Sequence, residues 1–167
     1  MTPTILGVDP GLSGGLAWVN GDTGLLMHLV HMPLTKDGKL DPQELATQIR
    51  NIAHTTFACV ELVTSRPRQA GQFQFGINTG VVHGILAGLS IPYVLATPTK
   101  WKALYGIKRG EDETKSQVKT EARMVASKLF PNDAHRFARV KDDGVAEAAL
   151  IALYGLSLYL QGKDPHP

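Results

Sequence analysis

The sequence predicts a one-domain α/β fold: an antiparallel meander of strands 1–3 runs into a mixed five-stranded sheet whose later strands are parallel, flanked by helices. Three observations predict it. The 167 residues, 43% of them hydrophobic, suffice for one full-sized core. Short apolar runs are separated by tight turns early in the chain and by helix-length segments later. Several of those longer segments open or close on capping residues or prolines.

Ile5–Asp9 is a short apolar run and reads as a buried strand. After the glycine-rich stretch PGLSG, Gly15–Asn20 (GLAWVN) forms a second strand. Asn20-Gly21 and Asp22–Gly24 turn the chain, and Leu25–Met32 returns as a third. Asp41 is the N-cap and Pro42 the first residue of a helix whose apolar face is Leu45, Ile49 and Ile52. Thr55–Val63 (TTFACVELV) is β-branched and apolar, as a central strand covered on both faces should be. Gln72–Leu89 reads as a helix with glycines at 76, 80, 84 and 88. Each glycine costs roughly 1 kcal/mol against alanine, so close packing along that stripe is expected to compensate. Its partner is either the chain's own sheet or a helix of a second subunit. Ile91–Ala96 is the fifth strand, Thr99–Tyr105 a short helix ended by Gly106, and Gly110–Asp112 a loop. Glu113–Phe130 is a helix stopped by Pro131, and Gly144–Leu160 a last, strongly apolar helix. This β-β-β-α-β-α-β-α-α order is compatible with an RNase H-like architecture. Residues 1–160 make the domain and 161–167 a tail, with no repeat or linker.

No stretch has the unbroken apolar length expected of a membrane span, and MTPTILG lacks the charged start of a signal peptide. The single cysteine, Cys59, lies in an apolar run, so a reduced, cytoplasmic protein is expected. The net charge of +2 hides an asymmetry: residues 100–141 hold eleven Lys/Arg and five Asp/Glu, whereas residues 1–63 hold three and six. Such a basic middle is either a polyanion-binding surface or a solvated helical face.

Four carboxylates sit where structure alone does not want them. Asp9 ends the first strand, Glu61 interrupts the central one, and Asp143 and Glu147 open the last helix in KDDGVAEAALIALYG. Three of the four have an ordinary explanation. Asp9 suits an Asp-Pro-Gly turn, Asp143 a helix N-terminus, and Glu61 an ion pair with Arg66 or Arg68. Together they suggest more. Adjacent parallel strands ending at one edge would set Asp9 beside Glu61, and a helix crossing that edge would add Asp143 and Glu147. Such a group repels itself unless cations neutralise it, and oxygen donors select Mg²⁺ or Mn²⁺. The scattered histidines offer no zinc spacing. Two such ions about 4 Å apart suit phosphodiester hydrolysis. On this reading Gly11, Gly14 and Gly15 leave room for a phosphate chain.

The start Asp-Pro-Gly-x-x-x-Gly, the strand Glu61 and the closing DDGVAEAALIA resemble the RuvC-type Holliday junction resolvases over roughly Thr4 to Tyr159, most closely the bacteriophage branch. The resemblance implies an RNase H-like homodimer that uses Mg²⁺ or Mn²⁺ to nick opposed strands of a four-way DNA junction, leaving 5′-phosphate and 3′-hydroxyl ends. It implies catalytic and metal-binding roles for Asp9, Glu61, Asp143 and Glu147, with Asp142 the alternative to Asp143. The family's DNA-contacting lysines match Lys102 and Lys115. Where cellular members carry an aromatic wedge this sequence has Thr64, followed by Arg66 and Arg68. Lys108, Arg109 and Lys119 extend the expected DNA-binding set; no nucleotide cofactor and no membrane partner are expected. Phe73 and Phe75 are expected in the core. Competing readings are another RNase H-like nuclease acting on forks, flaps or RNA–DNA hybrids, a sugar or acetate kinase, for which the chain is too short, and a non-catalytic DNA-binding scaffold.

Overall fold

The computed structural model describes residues 2–52, 54–62, 72–107 and 114–163. Five strands, β1 (Thr4–Asp9), β2 (Gly15–Asn20), β3 (Leu26–His31), β4 (Thr55–Glu61) and β5 (Tyr93–Ala96), form one sheet in the order β3-β2-β1-β4-β5. β2 pairs antiparallel with β1 and β3, whereas β1, β4 and β5 run parallel. The expected meander and parallel half are therefore both present. Val8 lies opposite Val60 and Glu61 opposite Ala96, so β1, β4 and β5 end together at one edge.

Alternation along the central strands sorts side chains onto two faces. Leu6, Val8, Ala58 and Val60 join Leu45 and Ile49 of α1 (Pro42–Asn51) and Val82 and Leu86 of α2 (Gln72–Gly88). Ile5, Phe57, Cys59 and Val94 pack instead with residues of α3 (Pro98–Leu104), α4 (Lys115–Leu129) and α5 (Asp143–Leu160). The sheet is thus sandwiched between two helical layers. Cys59 is buried, and burial pushes its thiol up to about 12, so it stays protonated.

α5 is long and apolar enough to cross a membrane by length and composition, contrary to the expectation that no such stretch exists. It is instead the core helix of the second layer. A methyl group added at Gly7 of β1 would collide with the backbone of Ala148 and Ala152, so the small residues of α5 lie directly on the sheet.

β5 begins two residues later than its apolar run. Ser90 takes a left-handed conformation (φ 55°), and Ile91 N–H returns to the Leu86 carbonyl, so Ile91 closes α2 rather than joining the sheet. Two 3-10 turns, Pro131–Phe137 and Val140–Asp142, link α4 to α5 and were not expected from sequence.

The glycine stripe does not pack on the chain's own sheet. α2 buries Asn78, Val82 and Leu86, and two residues further round, about 200° away, an added methyl at Gly76, Gly80, Gly84 or Gly88 would have no atom of the described residues beyond its own helix backbone within 4 Å. Phe73 shares that outward side and is 83% exposed rather than in the core, while Phe75 is half-buried.

Candidate active site

The parallel register places Asp9 and Glu61, each one residue beyond the Val8–Val60 pair, beside one another at the sheet edge. Both follow the alternation that faces α5: Asp9 continues Ile5 and Gly7, and Glu61 continues Phe57 and Cys59. Asp9 keeps its turn role as well, since its Oδ1 accepts the Gly11 N–H at 3.1 Å. α5 crosses this edge because its first turn sits on the β1–β2 loop. A methyl at Gly144 would strike the Ser13 carbonyl and the Gly14 backbone, and one at Gly15 would lie 2.7 Å from Val145 Cγ1. Gly15 and Gly144 therefore serve helix–loop contact, and Gly14, whose added methyl would strike the Asp9 and Gly11 carbonyls, serves the turn itself; clearance for a phosphate chain is not what Gly14 and Gly15 provide. An added Cβ at Gly11 would meet only ordinary contacts, the nearest being Asp9 Oδ1 at 3.4 Å.

The charges of this edge oppose one another. Burial, then the Glu147 carboxylate, push Asp9 up to about 6 against the pull of the Gly11 N–H, Lys119 and Lys102. Burial, then Asp9 and Glu147, push Glu61 up to about 8. Partial relief comes from two neighbours on α3. Trp101 Nε1 donates to Glu61 Oε1 at 3.0 Å, and Lys102 Nζ lies 2.9 Å from Glu147 Oε1. Asp143, at the start of α5, faces α4: Arg123 Nε stands 2.8 Å from its Oδ1 and Lys119 Nζ 3.6 Å from its Oδ2. The Arg123 N–H is not aimed along that contact, so Asp143 Oδ1 is a sealed oxygen without a directed hydrogen bond.

Asp142 is differently engaged. Its fully buried carboxylate takes Arg139 Nε at 3.0 Å, Arg139 Nη2 at 2.9 Å and the Arg139 backbone N–H at 2.9 Å, with His31 Nε2 3.5 Å away. Burial works against its charge, but these donors outweigh it and hold the group below the usual carboxylate range. The site thus gathers Asp9, Glu61 and Glu147, with Asp143 tied to α4 and Asp142 tied to the turn before α5. Among the described residues no three His, Cys, Asp or Glu side chains are arranged to hold a metal ion as they stand.

No protein-family model and no curated protein matches the sequence. Solved structures do. Thermus thermophilus RuvC in complex with Holliday junction substrate superposes with a TM-score of 0.69 at 16% identity, covering 98% of each chain. The yeast mitochondrial Holliday junction resolvase Ydc2 follows at 0.58 and 16%, over 96% of this chain and 80% of that one. The fowlpox virus resolvase in complex with substrate Holliday junction DNA gives 0.53 and 14%, over 92% of this chain and 99% of that one. The fold is that of the RuvC-type, RNase H-like resolvases.

Of the expected cations, Lys102 reaches the carboxylates directly and Lys119 approaches Asp143. Lys115 opens α4. Arg66, Arg68, Lys108, Arg109 and the wedge position Thr64 lie outside the described residues. Two residues of this edge were not expected. Trp101 carried a signal, since a buried indole needs an acceptor and TPTKWK stands just past a strand end. Arg123 carried one too: with Lys115 and Lys119 it completes a basic i, i+4, i+8 line on one face of α4.

Proposed function

We propose that this chain is a divalent-metal-dependent endonuclease that resolves four-way DNA junctions by paired nicks leaving 5′-phosphate and 3′-hydroxyl ends. One observation carries the reading: three mutually repelling carboxylates, Asp9, Glu61 and Glu147, meet at one sheet edge beside Lys102 and the basic face of α4. The fold supports it, because junction resolvases share it. The closing DGVAEA motif supports a place near the bacteriophage branch.

The donor set fits a hard cation. All the available ligands are carboxylate oxygens, and the charge they share is only partly offset. Asp9, Glu61 and Glu147 would hold Mg²⁺ or Mn²⁺, with Asp143 the fourth acid. When bound, two such ions would polarise the scissile phosphate and lower the pKa of the attacking water. The protein's own part is positional. The Gly11 N–H orients Asp9, Lys102 paired with Glu147 would turn to an incoming phosphate, and Lys119, half-exposed beside Asp143, would meet the DNA backbone.

Two nicks in opposed strands call for two sites. The surface suited to pairing them is α2, which carries no charged residue and turns its four glycines outward beside Ile77, 42% exposed. A second copy's helix would compensate those glycines by close backbone approach.

The deciding experiment is a gel series with a four-way junction, a fork, a flap, an RNA–DNA hybrid and duplex DNA, each with Mg²⁺, with Mn²⁺ and with chelator. Paired nicks in the junction that need a divalent ion are expected. Asp9→Asn and Glu61→Gln should abolish cleavage and leave junction binding intact or tighter. Cleavage retained in both variants would remove the carboxylates from the reaction, and preferential cutting of forks, flaps or hybrids would replace the substrate.

A further inference from the structure

Glu61 is 8% exposed, and among the described residues its carboxylate accepts one hydrogen bond, from Trp101 Nε1 to Oε1 at 3.0 Å. Trp101 is fully buried, within the core that α3, α4 and α5 form on the sheet. Its neighbour Lys102 pairs with Glu147 at 2.9 Å and stands 4.9 Å from the centre of the Trp101 ring. Consecutive residues of one short helix therefore hold two acids from different elements, Glu61 of β4 and Glu147 of α5.

The two contacts differ in kind. Lys102 is a mobile charge that a cation or a phosphate can displace. An indole N–H is a donor only, carries no charge and cannot ligate a metal, so a cation or a phosphate does not compete with it as it does with the Lys102 ammonium. Core packing fixes the ring, and the ring fixes the carboxylate plane. Oε1 thereby carries the hydrogen bond of the ring and keeps its other lone pair, and among the described residues Oε2 accepts none.

We infer that Trp101 is a positioning residue that holds the Glu61 carboxylate in the orientation it offers a divalent cation. The inference rests on the carboxylate site proposed above. Partners that orient ligating side chains change metal affinity by roughly 10–100-fold when removed. Trp101→Phe keeps the ring and deletes the donor.

Titration with Mn²⁺ in the absence of DNA, followed by calorimetry or by the electron paramagnetic resonance of the free ion, should show at least a roughly ten-fold loss of affinity in Trp101→Phe. Affinity for the uncleaved junction in chelator should stay within error. Wild-type affinity for Mn²⁺ in the variant, with or without a drop in melting temperature, makes Trp101 a packing residue and overturns the inference. A second measurement needs no variant at position 101. In the wild-type protein, Mg²⁺ should move the Nε1–H resonance of Trp101 and leave that of Trp18, the other tryptophan, in place; Trp18→Phe assigns them. An unmoved Trp101 signal at saturating Mg²⁺ also overturns it. Wild-type protein that takes up no Mn²⁺, or Glu61→Gln that takes up as much as wild type, refutes the carboxylate site itself and this inference with it.

Discussion

Asp9 and Glu61 carry opposite lessons about single residues. Asp9 is ordinary turn chemistry and a member of the carboxylate cluster at once, because its Oδ1 accepts the Gly11 N–H while burial and Glu147 push its titration up to about 6. Glu61 was expected to need an ionic or hydrogen-bonded partner, and the partner described is an uncharged indole. Burial, then the Asp9 and Glu147 carboxylates, push it up to about 8. Both values exceed those of the unfolded chain, 3.8 and 4.5. Across that window the folded state binds more protons than the unfolded one, so stability falls as pH rises from about 4 to about 8. Thermal denaturation in chelator should give a lower melting temperature at about pH 9 than at about pH 5. Glu61→Gln should flatten the dependence, and Mg²⁺ should restore stability chiefly at the alkaline end. A melting temperature that rises with pH in chelator contradicts the charge crowding.

At the scale of elements, the decisive contact is that of the β1–β2 loop with the first turn of α5. Gly14 and Gly144 touch backbone to backbone there, and Gly7 lets the middle of α5 lie on β1. The glycines after Asp9 were legible as a special stretch, but clearance for DNA and contact with a helix 130 residues away look identical in one dimension. Gly144→Ala forces the helix off the loop and moves Glu147 away from Asp9. It should cost about 1–3 kcal/mol in denaturant unfolding, as overpacking does, and slow nicking more than it weakens junction binding. Unchanged unfolding would mean that the loop yields freely. The strands, α1 and α2 were readable to within two residues because alternation, caps and turn residues are local signals. The 3-10 turns were not, because Pro131–Phe137 has neither period; it is held by packing of Phe137 and by Arg136 donating to the Leu29 carbonyl.

For the whole molecule, charge and shape divide the surface by function. The basic middle of the chain surrounds the carboxylate edge through Lys102, Lys119 and Arg123, whereas α2 on the opposite face is free of charge. A second copy seated on α2 is the homodimer proposed above. Gly80→Leu, whose Cβ would have no atom of the described residues beyond its own helix backbone within 4 Å, should fold normally and shift sedimentation from dimer toward monomer. A variant that remains dimeric moves the interface elsewhere.

The chain's own order of residues was enough for the architecture and for the acids. The meander, the parallel strands and the helices follow from local periodicity; Asp9, Glu61 and Glu147 are visible because each interrupts or ends an apolar run, and Asp143 because it opens the last helix. Which acids act together was decided only in three dimensions. Parallel register set Asp9 beside Glu61, while α5, lying on Gly7 and Gly14, added Glu147 and turned Asp143 toward Arg123. Asp142 and Asp143 are neighbours in sequence, yet one is clamped by Arg139 and the other faces α4. The physical reason is range. Periodicity and capping act over a few residues, whereas electrostatic crowding and helix–sheet contact depend on distances that the folded chain alone defines.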